Sequence, residues 1–159
     1  MDGFLFVLTL VTALGCGLNA GVFFTFSSFV MQALARLPAA QGIAAMQSIN
    51  ERAVTPVFMT ALFGTGAACM GLAVWSLFLW HEPFAVYLLG GSALYVVGTV
   101  GVTMVRNVPL NDRLAALHAE DAGAAGHWDA FVARWTAWNH VRTVAALAAA
   151  AALTVALHV

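Results

Sequence analysis

Residues 4–31 read FLFVLTLVTALGCGLNAGVFFTFSSFVM, and no charged side chain interrupts them. A helix of about 20 apolar residues is long enough to cross the hydrocarbon core of a bilayer. Three further stretches have the same character, at about 54–80, 84–105 and 139–158. They lack the period-two alternation of a membrane β-barrel, and only helices satisfy their own backbone groups in lipid. The sequence therefore predicts an all-α fold, a four-helix transmembrane bundle that forms a single domain over 1–159.

The composition excludes several classes of soluble protein. Of the 159 residues, 62% are hydrophobic and 8% are charged, against about 45–50% and about 25% in soluble domains. This composition excludes a water-soluble enzyme, a disordered chain and a basic nucleic-acid binder. Cys16 and Cys69 are too few and too far apart for a disulfide framework or a zinc knuckle. Both lie near mid-membrane, where they are expected to be small buried side chains that could face one another.

The arginines are confined to two connecting segments, at about 32–53 and 106–138. The remaining connection, His81-Glu82-Pro83, carries none. Short loops rich in Arg remain on the cytoplasmic side of a membrane. The two segments, with short helices, are therefore predicted to be cytoplasmic, and both termini to lie outside. The arginines in or beside them are Arg36, Arg52, Arg106, Arg113, Arg134 and Arg142.

Small residues recur at helical spacing within the spans. Gly17 and Gly21 form a GxxxG motif in the first span. Small side chains let membrane helices approach closely. Packing within one bundle is the favoured interpretation, and contact between copies in a homo-oligomer is the alternative. The corresponding residues in the second and third spans are Gly64, Ala67, Ala68, Gly71, Gly91, Gly98 and Gly101.

Polar side chains within a span are candidate site residues because they are costly to place in lipid. Asn19 is the first of them, and it either binds a buried ligand or ties two helices together. Phe23 and Phe26 follow it in the same span and could form an aromatic wall.

The densest polar cluster lies at the predicted cytoplasmic ends of the spans. Trp and Arg are common at membrane boundaries, which explains part of this cluster without any site. On a helix, Asn139 and His140 share a face with Thr136 and Thr143, beside the face of the tryptophans and Arg142. The cluster comprises Gln47, Asn50, Glu51 and Arg52 before the second span, Arg106, Asn107, Asn111, Asp112 and Arg113 after the third, and Trp135, Thr136, Trp138, Asn139, His140, Arg142 and Thr143 before the fourth.

Pro109 is expected to end the third helix. Asn111 or Asp112 could then cap the helix that follows, so turn chemistry alone could explain these residues. A helix break beside the bilayer would also free backbone groups to bind a ligand. His140 is the only histidine near this cluster, and histidine is the commonest general base in enzymes. A hydrogen-bonded structural role is the alternative for His140, and no spacing in the chain indicates a metal site.

Four short segments carry a family resemblance. They are GLNAG at 17–21, MQSIN at 46–50, NVPLN at 107–111 and WNHVRT at 138–143. Together they resemble the anthrone oxygenase-like family of small integral membrane proteins, many of whose bacterial members have no assigned function. The resemblance extends over nearly the whole chain and implies a multi-pass protein of the bacterial inner membrane.

The resemblance implies a monooxygenase that oxidises an anthrone to an anthraquinone with dioxygen and without a cofactor. Its expected partners are the lipid bilayer, a flat apolar aromatic molecule and dioxygen. The expected catalytic residues are His140 as base, Asn139 as hydrogen-bond donor and Arg142 as the charge that offsets an enolate. The residues expected to bind the substrate are Asn19, Asn107, Asn111, Trp135, Trp138, Phe23 and Phe26.

A non-catalytic membrane protein is the alternative, either one that binds a lipid or quinone or an accessory subunit of a membrane complex. The scarcity of ionisable groups within the spans supports it. A small proton-coupled exporter would need a carboxylate inside a span, whereas Glu51 and Glu82 lie at the ends of the spans. The alternatives differ in one structural respect. An oxygenase predicts a pocket lined by 107–112 and 135–143, and an accessory subunit predicts no such pocket.

Overall fold

Four long helices dominate the computed structural model, which describes residues 1–119 and 123–159. Within these residues no strand occurs, and α1, α3, α4 and α5 are each long and apolar enough to cross a bilayer. The predicted four-helix transmembrane bundle is therefore confirmed. The helices are α1 Gly3–Ala35, α2 Ala39–Ala53, α3 Pro56–Phe78, α4 Ala85–Ala115 and α5 Ala124–Ala156.

Local chemistry sets several helix starts. Asp2 precedes α1, and its Oδ1 accepts a hydrogen bond of 2.8 Å from the amide of Leu5. Thr55 precedes α3 in the same way, and Pro56 follows it in the first turn, where no amide hydrogen is needed. Gly123 precedes α5 with φ +93°, a left-handed conformation that glycine adopts without strain.

The described helical residues of the segment 106–138 belong to α4 and α5 and do not form separate short helices: α4 continues to Ala115 and α5 begins at Ala124. Pro109 does not end the third helix as expected, because α4 continues to Ala115. A π turn, Thr103–Asn107, directly precedes the proline, and the Val108 amide bonds to the Thr103 carbonyl five residues back. Pro109 lies in the first turn of the regular α-helical stretch Val108–Ala115 that follows the π turn, a position where proline is tolerated. The proline is therefore accommodated within α4.

Five of the six arginines lie at one end of the bundle, which we call the arginine end, and Arg142 lies within α5. Both chain termini and the 79–84 turn lie at the opposite end. α1, α3 and α4 each contain π turns, which lie in the middle of the helix or toward the arginine end. Such turns interrupt the regular helix and are frequent at functional sites. They span Phe26–Val30, Thr60–Gly64, Leu94–Gly101 and Thr103–Asn107.

The buried apolar side chains form two clusters. The transmembrane cluster joins the four long helices and includes Leu72, Tyr95 and Leu153. Cys16 and Cys69 belong to it, and their Sγ atoms are 4.0 Å apart, so the two thiols face one another as predicted. A second cluster at the arginine end packs α2 against the ends of α1, α4 and α5. Its central residues are Met31, Ile43, Met46, Leu114, Trp128, Phe131 and Trp135.

The small residues of α4 face α5. A Cβ atom added to Gly98 would lie 2.5 Å from the Cβ of Ala145, and one added to Gly91 would lie 3.1 Å from the Cγ of Leu153. Packing within the bundle is therefore confirmed for these two glycines. Gly17 and Gly21 have no such neighbour within 4 Å among the described residues. Contact between copies through that face stays a prediction.

Candidate functional site

A cavity of about 210 Å³ lies between the two apolar clusters, where the π turns of α1, α3 and α4 come together. All five helices contribute to its lining. An apolar cavity of about 150 Å³ is enough to bind benzene, so this cavity has room for a larger flat molecule. Its polar lining residues are Asn50, Thr103, Asn111 and Arg142. Its aromatic and aliphatic lining residues are Val22, Phe23, Phe26, Met46, Ile49, Ala53, Val54, Phe58, Met59, Leu62, Phe63, Met104, Val108 and Trp135.

Arg142 is the charged residue of the cavity, and only 5% of its surface is exposed. Its Nη2 donates a hydrogen bond of 2.6 Å to Oδ1 of Asn139, and its Nη1 donates one of 3.2 Å to Oγ1 of Thr103. The guanidinium also lies over two rings, with its Cζ 4.3 Å from the ring centroid of Phe23 and 5.2 Å from that of Trp135. The guanidinium is thus held by neutral groups on three sides.

Asn139 fixes the position of Arg142. Its Nδ2 donates hydrogen bonds of 2.7 Å to the carbonyl of Phe23 and 2.7 Å to Oγ of Ser27, both on α1. The oxygen of the same amide is thereby turned toward the guanidinium. Ser27 belongs to the π turn that begins at Phe26, so this irregular turn of α1 is joined directly to the arginine.

No carboxylate is among the described residues that line this cavity. Arg142 lies 14 residues before the end of α5 at Ala156, about 20 Å along a helix that rises about 1.5 Å per residue. A hydrocarbon layer of roughly 30 Å that begins at the end of α5 would therefore contain the backbone of Arg142. A buried charge without an opposite partner costs several kcal/mol of desolvation, which stacking on aromatic rings offsets only in part. Charged groups at this depth typically mark a site of function.

Two nitrogen donors of the cavity residues have no acceptor in the described part of the chain. They are Nε of Arg142 and Nδ2 of Asn50. Buried polar groups in folded proteins are nearly always hydrogen-bonded. An oxygen atom of a bound molecule would satisfy either donor, and an anionic oxygen would also neutralise the guanidinium.

Trp135 and Asn111 complete one wall. The indole Nε1 of Trp135 donates a hydrogen bond of 2.8 Å to Oδ1 of Asn111. Asn107 is fully buried next to them, and its Nδ2 donates a bond of 3.2 Å to the Trp135 carbonyl. Asn107 therefore supports the wall without lining it, whereas Trp135, Asn111, Phe23 and Phe26 line the cavity as the sequence suggested.

Five predicted site residues do not line the cavity, and two of them, His140 and Trp138, lie toward the outer surface of the bundle. His140 is exposed and lines a separate surface groove between α1 and α5, beside Gln32 and Thr136. Trp138 is also outside, where its ring lies under the guanidinium of Arg106, with 4.6 Å from Cζ to the ring centroid. One residue along a helix turns the side chain by about 100°, so His140 points away from the buried side of α5, where Asn139 bonds to Arg142.

Asn19 joins two helices. Its Nδ2 donates hydrogen bonds of 2.9 Å to the carbonyl of Gly15 and 3.0 Å to the carbonyl of Ala61. Ala61 lies in the π turn of α3, and the next carbonyl of that turn, from Leu62, accepts a bond of 3.2 Å from the Tyr95 hydroxyl. Side-chain donors thus bond to carbonyls of the π turn. Of the two alternatives for Asn19, the structure shows the helix-joining one.

Sequence reasoning missed Asn50 and Thr103 as cavity residues. Asn50 belongs to α2, which folds back over the arginine end and brings Met46 and Ile49 to the cavity. Asn50 was placed in the polar cluster but not among the site residues, because no local pattern indicates where a connecting helix folds back. Thr103 lies four residues before Asn107 and so shares its helix face. This spacing is the sequence signal that could have identified Thr103 as a site residue.

The cavity is open on one side, between α3 and α4. Val54, Phe63 and Met104 line it, and they are also exposed on the outer surface of the bundle, by 71%, 42% and 50%. Phe63 and Met104 belong to membrane-spanning helices. An apolar molecule dissolved in the bilayer therefore has a direct route into the cavity.

The described residues contain no group of three or more His, Cys, Asp or Glu side chains arranged to hold a metal ion. The donors of the cavity are amide, hydroxyl, indole and guanidinium groups. These groups suit an oxygen-bearing organic ligand.

Comparison with known proteins identifies the chain through its last three helices. The family model described as anthrone oxygenase matches residues 56–152, which is more than half of the chain. The match covers Thr103, Asn111, Trp135, Asn139 and Arg142, while α1 and α2 lie before it. No curated protein and no solved structure gives a significant match. The chain belongs to the anthrone oxygenase family.

Proposed function

We propose that this protein oxidises a flat, apolar aromatic ketone of the anthrone class with dioxygen, in the cavity beside Arg142. The observation that carries the proposal is the buried guanidinium with no described carboxylate beside it. An anthrone becomes reactive toward dioxygen when it loses a benzylic proton and forms an enolate. A fixed cation aimed at the enolate oxygen stabilises that anion relative to the neutral ketone.

The proposed reaction balances with dioxygen as the only co-reactant. The enolate carbon gives electrons to dioxygen, a carbon–oxygen bond forms, and the product of that step is a hydroperoxide. Loss of water then breaks the oxygen–oxygen bond and the second carbon–hydrogen bond. One oxygen atom becomes the new carbonyl of the quinone, and the other leaves as water.

The side chains of the cavity act by holding the anion. No His, Asp or Glu is among its described lining residues, so the first proton passes to a water molecule held within the cavity. Arg142 favours this loss because its charge attracts the developing oxyanion, and Asn50 offers a further donor. Phe23, Phe26 and Trp135 would hold the flat rings by stacking. This assignment replaces His140 as the base with charge stabilisation by Arg142.

Oxygen uptake by the purified protein in lipid nanodiscs tests the proposal. With anthrone and oxygen-18 gas, we expect uptake above that of empty nanodiscs. One labelled atom should appear in the anthraquinone and one in water. Anthrone binding without uptake above the empty nanodiscs would contradict the proposal and favour the non-catalytic alternative, a protein that binds a quinone or lipid.

His140→Ala is expected to leave kcat and KM for anthrone unchanged, because the imidazole lies outside the cavity and on another helix face. Steady-state oxygen uptake measures both constants. Thermal unfolding of the same sample shows whether the variant is folded. A large loss of kcat in a folded His140→Ala variant would restore this histidine as the base.

We also propose that the arginine end faces the cytoplasm of a bacterial inner membrane. Five arginines lie at that end and none lies at the opposite end, which supports this orientation. Alkaline phosphatase fused after Val159 should then be active, because that enzyme folds only outside the cytoplasm. A fusion after Leu117, in the turn between α4 and α5, should be inactive. The reverse pattern would contradict the orientation.

A further inference from the structure

Three arginines surround a second cleft, which lies between α4 and α5 and is separate from the cavity of Arg142. Its volume is about 170 Å³. Arg106 and Arg113 come from α4, and Arg134 and Trp138 come from α5. All three arginine side chains are exposed. The proposed oxidation uses none of these four residues.

The spacing of these residues on their helices builds the cleft. Arg106 and Arg113 are seven residues apart, two turns along one face of α4, and Arg134 and Trp138 are four apart on α5. The guanidinium of Arg106 crosses between the helices to lie over the Trp138 ring, 4.6 Å from its centroid. Two helices therefore present three positive charges to one cleft.

Negative charge is absent from the described lining of the cleft. Asp112 and Asp129 are the nearest described carboxylates along α4 and α5; both are exposed, and neither lines the cleft. Three like charges gathered in one cleft repel each other unless an anion lies among them. The cleft is therefore complementary to a group of negative charge.

The depth of the cleft matches the phosphate layer of a membrane. Arg106 lies 21 residues after the start of α4 at Ala85, about 30 Å along the helix axis. The hydrocarbon core is also about 30 Å thick. Trp138 is half-buried at the same level, where tryptophan commonly lies beside lipid headgroups.

We propose that this cleft binds the phosphate of an anionic phospholipid in the leaflet at the arginine end. Basic pockets between transmembrane helices bind such headgroups. The bound lipid would bridge α4 and α5 where they leave the membrane. This site is independent of the proposed oxidation, and neither requires the other.

Native mass spectrometry with phosphatidylglycerol tests the site. The variant R106Q/R113Q/R134Q removes the three charges, and R36Q/R52Q is the matched control at the same end of the bundle. We expect phosphatidylglycerol to bind the triple variant roughly a hundredfold more weakly than the unmodified protein, since each arginine near a lipid phosphate contributes about fivefold. The control should retain nearly all of its binding. Equal losses in both variants, or no loss in either, would overturn the proposal.

Inorganic phosphate distinguishes a lipid from a soluble ligand. Because the lipid phosphate is held at this depth by its acyl chains, millimolar phosphate should not displace phosphatidylglycerol from the unmodified protein. Displacement by phosphate alone would contradict a lipid site. Thermal unfolding without added lipid checks that the triple variant is folded, and the exposure of its three side chains leads us to expect an unchanged midpoint.

Discussion

Arg142→Gln is expected to lower kcat/KM for anthrone oxidation by about 10²–10³-fold, the usual loss when one donor to a developing oxyanion is removed. Glutamine keeps a polar group that can bond to Oδ1 of Asn139, but it removes the charge over Phe23 and Trp135. The loss should fall mainly on kcat, because the charge acts on the enolate more than on the neutral ketone.

The matched control for this variant is Arg36→Gln, which removes a positive charge from the arginine end of the bundle without touching the cavity. Arg142→Lys should fall between the two, since it keeps the charge but lacks the planar fork that bonds Asn139 and Thr103 together. Oxygen uptake gives the rates, and thermal unfolding shows whether each variant is folded. Equal rates for Arg142→Gln and Arg36→Gln would contradict the role of Arg142.

Gly98→Ala is expected to destabilise the protein by about 1–3 kcal/mol, because it overpacks a rigid interface. The new Cβ atom would lie 2.5 Å from the Cβ of Ala145, so α4 and α5 must separate. That separation would also move Arg142. Its carbonyl accepts a hydrogen bond of 3.5 Å from Oγ1 of Thr99, the residue that follows Gly98 in α4. We therefore expect a loss of activity together with the loss of stability.

Gly17→Ala provides the matched control for this variant. The same methyl group added there has no neighbour within 4 Å outside its own helix turn. Alanine also has the higher helix propensity, so stability should be unchanged or slightly raised. Unfolding in detergent gives the free energy of each variant. Equal stabilities of the Gly17 and Gly98 variants would show that α4 and α5 are not packed as closely as described.

Sequence patterns predicted the fold well because lipid leaves a chain few options. The uncharged runs specified four helices, and the positions of Cys16 and Cys69 predicted the facing thiols. The prediction that Pro109 ends the third helix was wrong, because a π turn before the proline allows the helix to continue. Such a turn has no local sequence signature. Irregular turns of this kind are visible only in the folded bundle.

The candidate site was predicted in part. Arg142, Asn111, Trp135, Phe23 and Phe26 line the cavity, since a charge or an aromatic side chain near a membrane boundary is conspicuous in a sequence. Helical periodicity placed Asn139 and His140 on one broad helix face, but it does not show which side of that face points inward. In the structure, Asn139 is buried and His140 is exposed. The contribution of α2 depends on how a connecting segment folds back, which only tertiary packing decides.

The most direct test of the central claim is an absorption spectrum of anthrone bound to the protein without oxygen. The claim is that Arg142 stabilises the enolate, which is more conjugated than the ketone and absorbs at longer wavelength. Under argon at neutral pH, the unmodified protein should show the enolate band, and Arg142→Gln should show bound ketone alone. A ketone spectrum in both proteins, with anthrone bound to each, would contradict the account.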